Sequence, residues 1–229
     1  MSSTSISQDF VFKENAGGLL EFIGDFESLY QYESDPWGQS GTDSKLKNYY
    51  QTSRNLLIEK LTKNSPASIL EVGCGHGYVC NTLKNAFPQT TVEGIDISAL
   101  AITKACETFP HLTFHHGNIS AKDTLPEKQY DAVILNQILW YILEDFDSVL
   151  DNSHHLLKPE GKFYSSNAFF KKEQRYGTEI INGFDGLIQY LTQKTETHFS
   201  FEYASLQTLD NEMYNNGLVT MKKIPNPAF

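Results

Sequence analysis

Basic residues are scarce in this chain. Eighteen lysines and arginines stand against 28 aspartates and glutamates over 229 residues, a formal net charge of −10. Nucleic-acid binders carry a basic stripe that exchanges for condensed counterions. No such stripe is present, which argues against nucleic acid as a partner, and against an anionic membrane surface for the same reason. Cysteine is scarce as well. Cys74, Cys80 and Cys106 are odd in number and include no Cys-x-x-Cys pair, so they fit neither a disulfide framework nor a metal cluster, and all three read as small core residues. No apolar run reaches the ~18 residues of a membrane span. The opening MSSTSISQDF lacks a charged stretch followed by an apolar one, so it does not read as a secretory signal. The expectation is a cytoplasmic monomer or homodimer with no internal repeat and no low-complexity tract.

What is present is enough for a folded body. Hydrophobic residues make up 40% and aromatics 13%, and a chain of this length buries roughly 70–75% of its unfolded surface. Leu19, Phe22, Ile23, Phe26 and Tyr30 fall on one helical face. SDPWGQSG is a turn-rich linker, after which Thr42 is placed to cap a helix with Leu46, Tyr50, Ser53, Leu57 and Leu61 in one stripe.

The texture changes near residue 66. ASILEVG, TTVEGID, LTFHH, YDAVILN and KFYSSN read as strands, with helical VCNTLKNAF, ALAITKACETF and residues 144–157 between them. This alternation predicts an α/β fold, a parallel sheet with helices on both faces. EIINGFDGLIQYL reads as a further helix, and HFSFEYASL with NGLVTMKK as a closing antiparallel hairpin. Residues 1–64 read as a helical lid or extension and 65–229 as the core.

The sharpest local signal is Glu71-Val72-Gly73-Cys74-Gly75-His76-Gly77, a strand running through glycines into a helix. Glycine permits positive φ and close approach of a ligand to the backbone. Exposed N–H groups at the helix start favour an electron-rich ligand. The spacing is Gly-x-Gly-x-Gly, and Tyr78 stands where a dinucleotide fingerprint needs its last glycine. A tight strand–helix turn is the plainer alternative. At the end of the second strand, Asp96 is placed to accept both hydroxyls of a ribose, or to serve the next helix as a cap. Gly117-Asn118-Ile119 follows the third strand, and Asn136-Gln137 leaves the fourth beside the usual ligand crevice.

EVGCGHG, Asp96, GNI, YDAVILN and LLKPEGKF, in this order, resemble a class I S-adenosylmethionine-dependent methyltransferase over about residues 66–166. The resemblance implies a Rossmann-like seven-stranded, mostly parallel sheet with an antiparallel last strand, and S-adenosyl-L-methionine as cofactor. It implies that Gly73, Cys74, Gly75 and Gly77 border the methionine part and Glu71 helps hold its amino group. Asp96 and Ile97 would sit at the ribose, Asn118 and Ile119 at the adenine, and Asn136 beside the crevice. Asp35-Pro36-Trp37, ILWYI after the fourth strand and the helix before the terminal hairpin extend the likeness toward nodulation-factor N-methyltransferases, which methylate an amino-sugar nitrogen. Those families usually have Asp where Asn118 stands and Glu where Gln137 stands. Trp37, Tyr50 and Arg54 are the lid residues placed to meet the cofactor, Arg54 through its carboxylate.

Methyl transfer by in-line displacement asks mainly for alignment. Tyr141 and Gln137 are therefore assigned as groups that position a small-molecule acceptor, with nitrogen or oxygen as the nucleophile. His76 is near enough to reach the site, while His115, His116, His154 and His155 read as structural. A degenerate fold that only binds the cofactor or a protein partner, and a nicotinamide-dependent oxidoreductase, are the rival readings.

Overall fold

In the computed structural model, which describes residues 9–40, 47–194, 198–209 and 213–224, the chain opens with a feature that helical periodicity hides. Phe12–Glu14 (β1) and Leu20–Phe22 (β2) pair as a short antiparallel hairpin. The helix expected across residues 18–33 is confined to Phe26–Tyr32 (α1). Gly24 is the cause: its φ of +69° takes the chain into the left-handed region, which ends any helical run. Asp25 then caps α1 by accepting Ser28 N–H at 3.1 Å. Leu19, Phe22 and Ile23 therefore share no helix with Phe26 and Tyr30. Thr42, the expected cap of the next helix, lies outside the described residues. That helix, Lys47–Thr62 (α2), buries Tyr49, Ser53, Leu57 and Leu61 along one stripe.

Strands and helices then alternate: β3 (Ser68–Val72), α3 (Tyr78–Ala86), β4 (Thr91–Asp96), α4 (Ala99–Thr108), β5 (Thr113–His116), β6 (Tyr130–Asn136), α5 (Phe146–Leu156) and β7 (Leu157–Phe170). The chain closes with α6 (Gly183–Lys194), β8 (Phe199–Thr208) and β9 (Tyr214–Lys223). Gly183, at φ +66°, sets the start of α6, so Ile180 and Ile181 precede that helix and do not extend it. Seven strands form one sheet in the order β5-β4-β3-β6-β7-β9-β8. β3 to β7 pair in parallel, and β9 runs antiparallel between β7 and β8. This is the expected sheet, closed by the expected hairpin.

The two-residue period of a strand sorts the core into two layers. Ile69, Ala132 and Ile134 pack with Leu57 and Leu61 of α2 and Val79 and Leu83 of α3. Leu70, Val72, Val133 and Leu135 pack with Val149 and Leu150 of α5 and Leu187 and Leu191 of α6. Burial on both faces is why β3 and β6 read as mainly apolar runs, broken in β3 by Glu71. On α4 the buried positions are Ala101 and Ala105. Cys106 is exposed, one residue beyond that stripe, so the core role expected of it does not hold; Cys74 and Cys80 are buried as expected.

A buried carboxylate interrupts this apolar pattern in β4. Glu93 accepts from Tyr130 Oη–H at 2.7 Å, binds His115 Nε2 at 2.9 Å and pairs with Lys128 Nζ. Burial alone would push Glu93 up, but the bonds from Lys128, His115 and Tyr130 outweigh it and hold it below the ordinary carboxylate range. His115 and His116 are thus occupied structurally, His116 Nε2 lying 3.1 Å from the Ile97 carbonyl. His154 is likewise bonded to the Ile224 carbonyl at 3.1 Å.

Candidate functional site

Parallel crossovers bring the C-terminal ends of β3, β4, β5 and β6 to one edge of the sheet. A cavity of about 270 Å³ opens there, near the lower end of small-molecule sites. Its floor comes from the four loops that follow those strands. Gly73, Cys74 and Gly75 line it after β3, Asp96 and Ile97 after β4, Asn118 and Ile119 after β5, and Asn136 and Gln137 after β6.

Asp96 ties the first two loops together. One carboxylate oxygen accepts Gly75 N–H at 2.8 Å and the other accepts Ser98 N–H at 2.9 Å. Each oxygen keeps a further lone pair for a ligand. Burial raises the Asp96 pKa in spite of these two N–H groups. Gly75, at φ +51°, brings its backbone against the lid, since a Cβ there would stand 2.7 Å from the Tyr30 hydroxyl. Asn118 Oδ1 is taken by Ser120 N–H at 2.9 Å in a local turn.

The roof is the N-terminal segment. Tyr30 of α1 lies over the loop, its ring 4.8 Å from that of His76 and its hydroxyl accepting Trp37 Nε1–H at 3.1 Å. Glu27, also on α1, reaches the start of α4, accepting Ser98 Oγ–H at 2.6 Å and Leu100 N–H at 3.2 Å. One short helix is thereby fixed to the loops after β3 and β4. Trp37, Tyr50 and Tyr141 line the cavity as expected. Burial raises the phenols of Tyr30, Tyr50 and Tyr141, so they are hydrogen-bond donors and not bases. Burial also lowers His76, which leaves its imidazole neutral at neutral pH.

Three expected site residues stand back from the cavity wall. Gly77 is the N-cap of α3 at φ +79°. Arg54 donates to Gln39 Oε1 at 2.8 Å, and it is Gln39 that faces the cavity. Glu71 is buried beneath the loop, accepting the Cys80 thiol at 3.0 Å. Burial pushes Glu71 up to about 7, against the opposing influence of Cys80, the Arg54 charge and the Asn136 amide. Asn136 itself is 4% exposed, lines the cavity, and has no hydrogen-bond partner for its Oδ1 among the described residues.

Gln137 is arranged differently from the expectation. It sits at φ +62°, and both ends of its amide point into the protein. Oε1 accepts Tyr49 Oη–H at 3.2 Å and Ala168 N–H at 3.0 Å, and Nε2 donates to Ser53 Oγ at 3.0 Å. Those bonds pin α2 to β6 and β7, so the Gln137 side chain braces the site. Sequence reasoning expects a Tyr- and Phe-rich lid and the stretch 163–177 at the acceptor pocket, of which only the lid lines the cavity. It singles out none of Phe22, Phe26, Tyr30, Asp35 and Asp145 as a site residue, although all five line the cavity. None sits in a glycine loop or at the end of a sheet strand, the two signals that located the others.

Residues 70–163 match the methyltransferase domain family. A malonyl-[acyl-carrier protein] O-methyltransferase of Bacillus anthracis is 33% identical over 107 residues, covering 46% of this chain and 39% of that protein. A fatty-acid O-methyltransferase of Mycolicibacterium smegmatis is 30% identical over 143 residues, covering 61% of this chain and 51% of that protein. The chain thus spans about one quarter to one half of the length of the curated relatives it matches. Among solved structures, N-methyltransferase NodS from Bradyrhizobium japonicum with S-adenosyl-l-homocysteine superposes with a TM-score of 0.63 at 19% identity, covering 86% of this chain and 94% of that one. Magnesium protoporphyrin IX methyltransferase from Synechocystis superposes with a TM-score of 0.64 at 15% identity, covering 87% and 98%. The fold is that of the class I methyltransferases.

Proposed function

We propose, from the premise that this chain carries a methyltransferase domain on a class I fold, that it binds S-adenosylmethionine and transfers the methyl group to a small-molecule acceptor at nitrogen or oxygen. The observation that carries this reading is the unsatisfied Asn136 Oδ1. A buried amide oxygen without a donor costs roughly 1–3 kcal/mol, and here it sits on the cavity wall with the Glu71 carboxylate close enough to share its amide. An acceptor atom backed by a buried carboxylate fits an ammonium group, and the amino-acid end of the cofactor supplies one.

The remaining residues fit the same ligand. Asp96 has one free lone pair on each oxygen for the ribose hydroxyls, Ile97 and Ile119 flank the adenine, and Asn118 lies at its edge. Gly73, Cys74 and Gly75 admit the methionine part. Arg54, behind Gln39, lies within reach of its carboxylate. The bound sulfonium supplies the methyl group. The protein's task is to hold the acceptor in line with it and to exclude water. Of the N-terminal region up to residue 64, described residues 9–40 roof the site and α2 packs on the sheet face, with Tyr50 facing the cofactor, Tyr141 the acceptor and Trp37 between them.

A thermal melt with S-adenosylhomocysteine, with NADH as control, tests this. Ligand at ~100 times its dissociation constant adds roughly 2.7 kcal/mol, which for this length raises Tm by roughly 5–10 °C. A rise with NADH alone would transfer the site to a nicotinamide cofactor. The same titration run across pH reads Glu71. Its carboxyl titrates near 7, so affinity for a ligand ammonium is expected to increase from pH 6 to pH 8 as Glu71 ionises. In the ligand-free protein the sign reverses. The pKa is raised on folding, so stability is lost as pH rises from about 4.3 towards 7. Glu71→Gln is expected to flatten both profiles.

A further inference from the structure

The wall supplied by the N-terminal segment and the turn after β6 is made of rings. Phe22, Phe26, Trp37 and Tyr141 line it. Tyr141 is the hub, its centroid 5.6 Å from Phe26 in an edge-on pair and 5.3 Å from Trp37. Phe12 supports it at 5.9 Å. Ring faces carry partial negative charge and attract organic cations.

The acidic side chains on this lining add the same sign. Asp35 stands two residues before Trp37, held in place by Gln39 N–H and Ser40 N–H at 2.9 Å each. Its charge reaches Tyr50, Arg54 and His76. Asp145 is the N-cap residue of α5, but its side chain makes no capping bond, and it faces the cavity. Arg54 stands behind Gln39 and, in the reading above, meets the cofactor's carboxylate. An acceptor bearing a carboxylate or phosphate would meet ring faces and two carboxylates. A protonated amine is drawn to all of them.

We infer that the acceptor is an organic amine on a flat or apolar body, seated against Phe22, Phe26, Trp37 and Tyr141 with its nitrogen towards Asp35. The inference rests on the methyl-transfer reading and names the substrate class of that same site. The amine first gives a proton to water. Its nitrogen lone pair then forms the new N–C bond as the C–S bond breaks, and sulfur keeps that electron pair. The methylated ammonium product releases a proton to solvent.

The test uses the full chain saturated with S-adenosylhomocysteine, whose own binding is measured first. Phenethylamine and tryptamine are compared with the acids 3-phenylpropanoate and indole-3-acetate, and with 2-phenylethanol, by calorimetry. Methyl transfer is then followed with S-adenosylmethionine. The amines are expected to bind at least 10-fold more tightly than the acids and to be the methylated probes. Tyr141→Leu should weaken amine binding roughly 2- to 30-fold, and by more than it changes S-adenosylhomocysteine affinity, which is measured on the same variant. Asp35→Asn gives a second variant in which no ring is removed, with the same direction of change. Acids binding as tightly as amines, or no amine binding while S-adenosylhomocysteine does, overturns the inference. Failure of S-adenosylhomocysteine itself to bind would instead defeat the cofactor reading.

Discussion

Replacing Asp96 by asparagine is expected to weaken S-adenosylhomocysteine binding by about 100-fold, measured by isothermal titration. The carboxylate accepts Gly75 N–H and Ser98 N–H through separate oxygens, and in the proposed complex it also accepts the ribose diol. Hydrogen bonds to a charged acceptor contribute about 1.5–3 kcal/mol each, and 1.4 kcal/mol is tenfold in affinity. Asparagine retains one acceptor and turns an amide N–H₂ towards a backbone donor, so the diol loses a partner and one loop loses its anchor. The free protein is expected to fold, because the variant also removes a buried charge whose pKa burial has raised. An unchanged dissociation constant would remove Asp96 from the ligand site and reduce it to a helix cap.

The second large effect is on stability. Glu93→Gln is expected to cost about 2–4 kcal/mol, lowering Tm by about 4–16 °C for a chain of this length. The carboxylate gathers Tyr130, His115 and Lys128. Glutamine keeps one acceptor for three donors and turns an amide N–H₂ towards another of them, so a group beside the interior Tyr130 hydroxyl is left unsatisfied. Lys128 is half exposed and regains water, which keeps the cost below that of a fully buried pair. The pH dependence follows from the lowered Glu93 pKa. A carboxyl depressed on folding contributes stability above its ordinary range, and that contribution is lost as pH falls through the folded value. The gap in Tm between wild type and variant is therefore expected to be full at pH 6–8 and to close below about pH 4. A gap that stays constant with pH would mean that the cost is packing alone.

How much of this was legible in the sequence depended on the range of the interactions. β3 and β6 are found to within a residue because burial on both faces makes them mainly apolar runs, Glu71 of β3 apart. The glycine loop and Asp96 are legible because strand–turn–helix geometry needs those residue types locally. The β1–β2 hairpin is not, because Leu19, Phe22, Ile23 and Phe26 repeat at a helical interval and the left-handed turn at Gly24 overrides it. Gln137 shows the longer-range difficulty. Its position after β6 is correct, but the partners that turn its side chain inward lie 84, 88 and 31 residues away, on α2 and β7. The acidic and aromatic lining from Asp35, Asp145, Phe22 and Phe26 is likewise assembled only by the fold.

Trp37 packs at a tilt against Tyr141 and donates to the Tyr30 hydroxyl on the cavity wall. The chain has two tryptophans. The other, Trp140, donates to the Ala168 carbonyl and packs edge-on against Phe169. The roof of the site thus carries its own fluorophore, and its companion sits against β7. With Trp140 replaced by phenylalanine, a single indole remains whose emission comes from the wall that cofactor and acceptor share. Arrival and departure of each can then be followed in real time, without a label and without waiting for a methyl group to move.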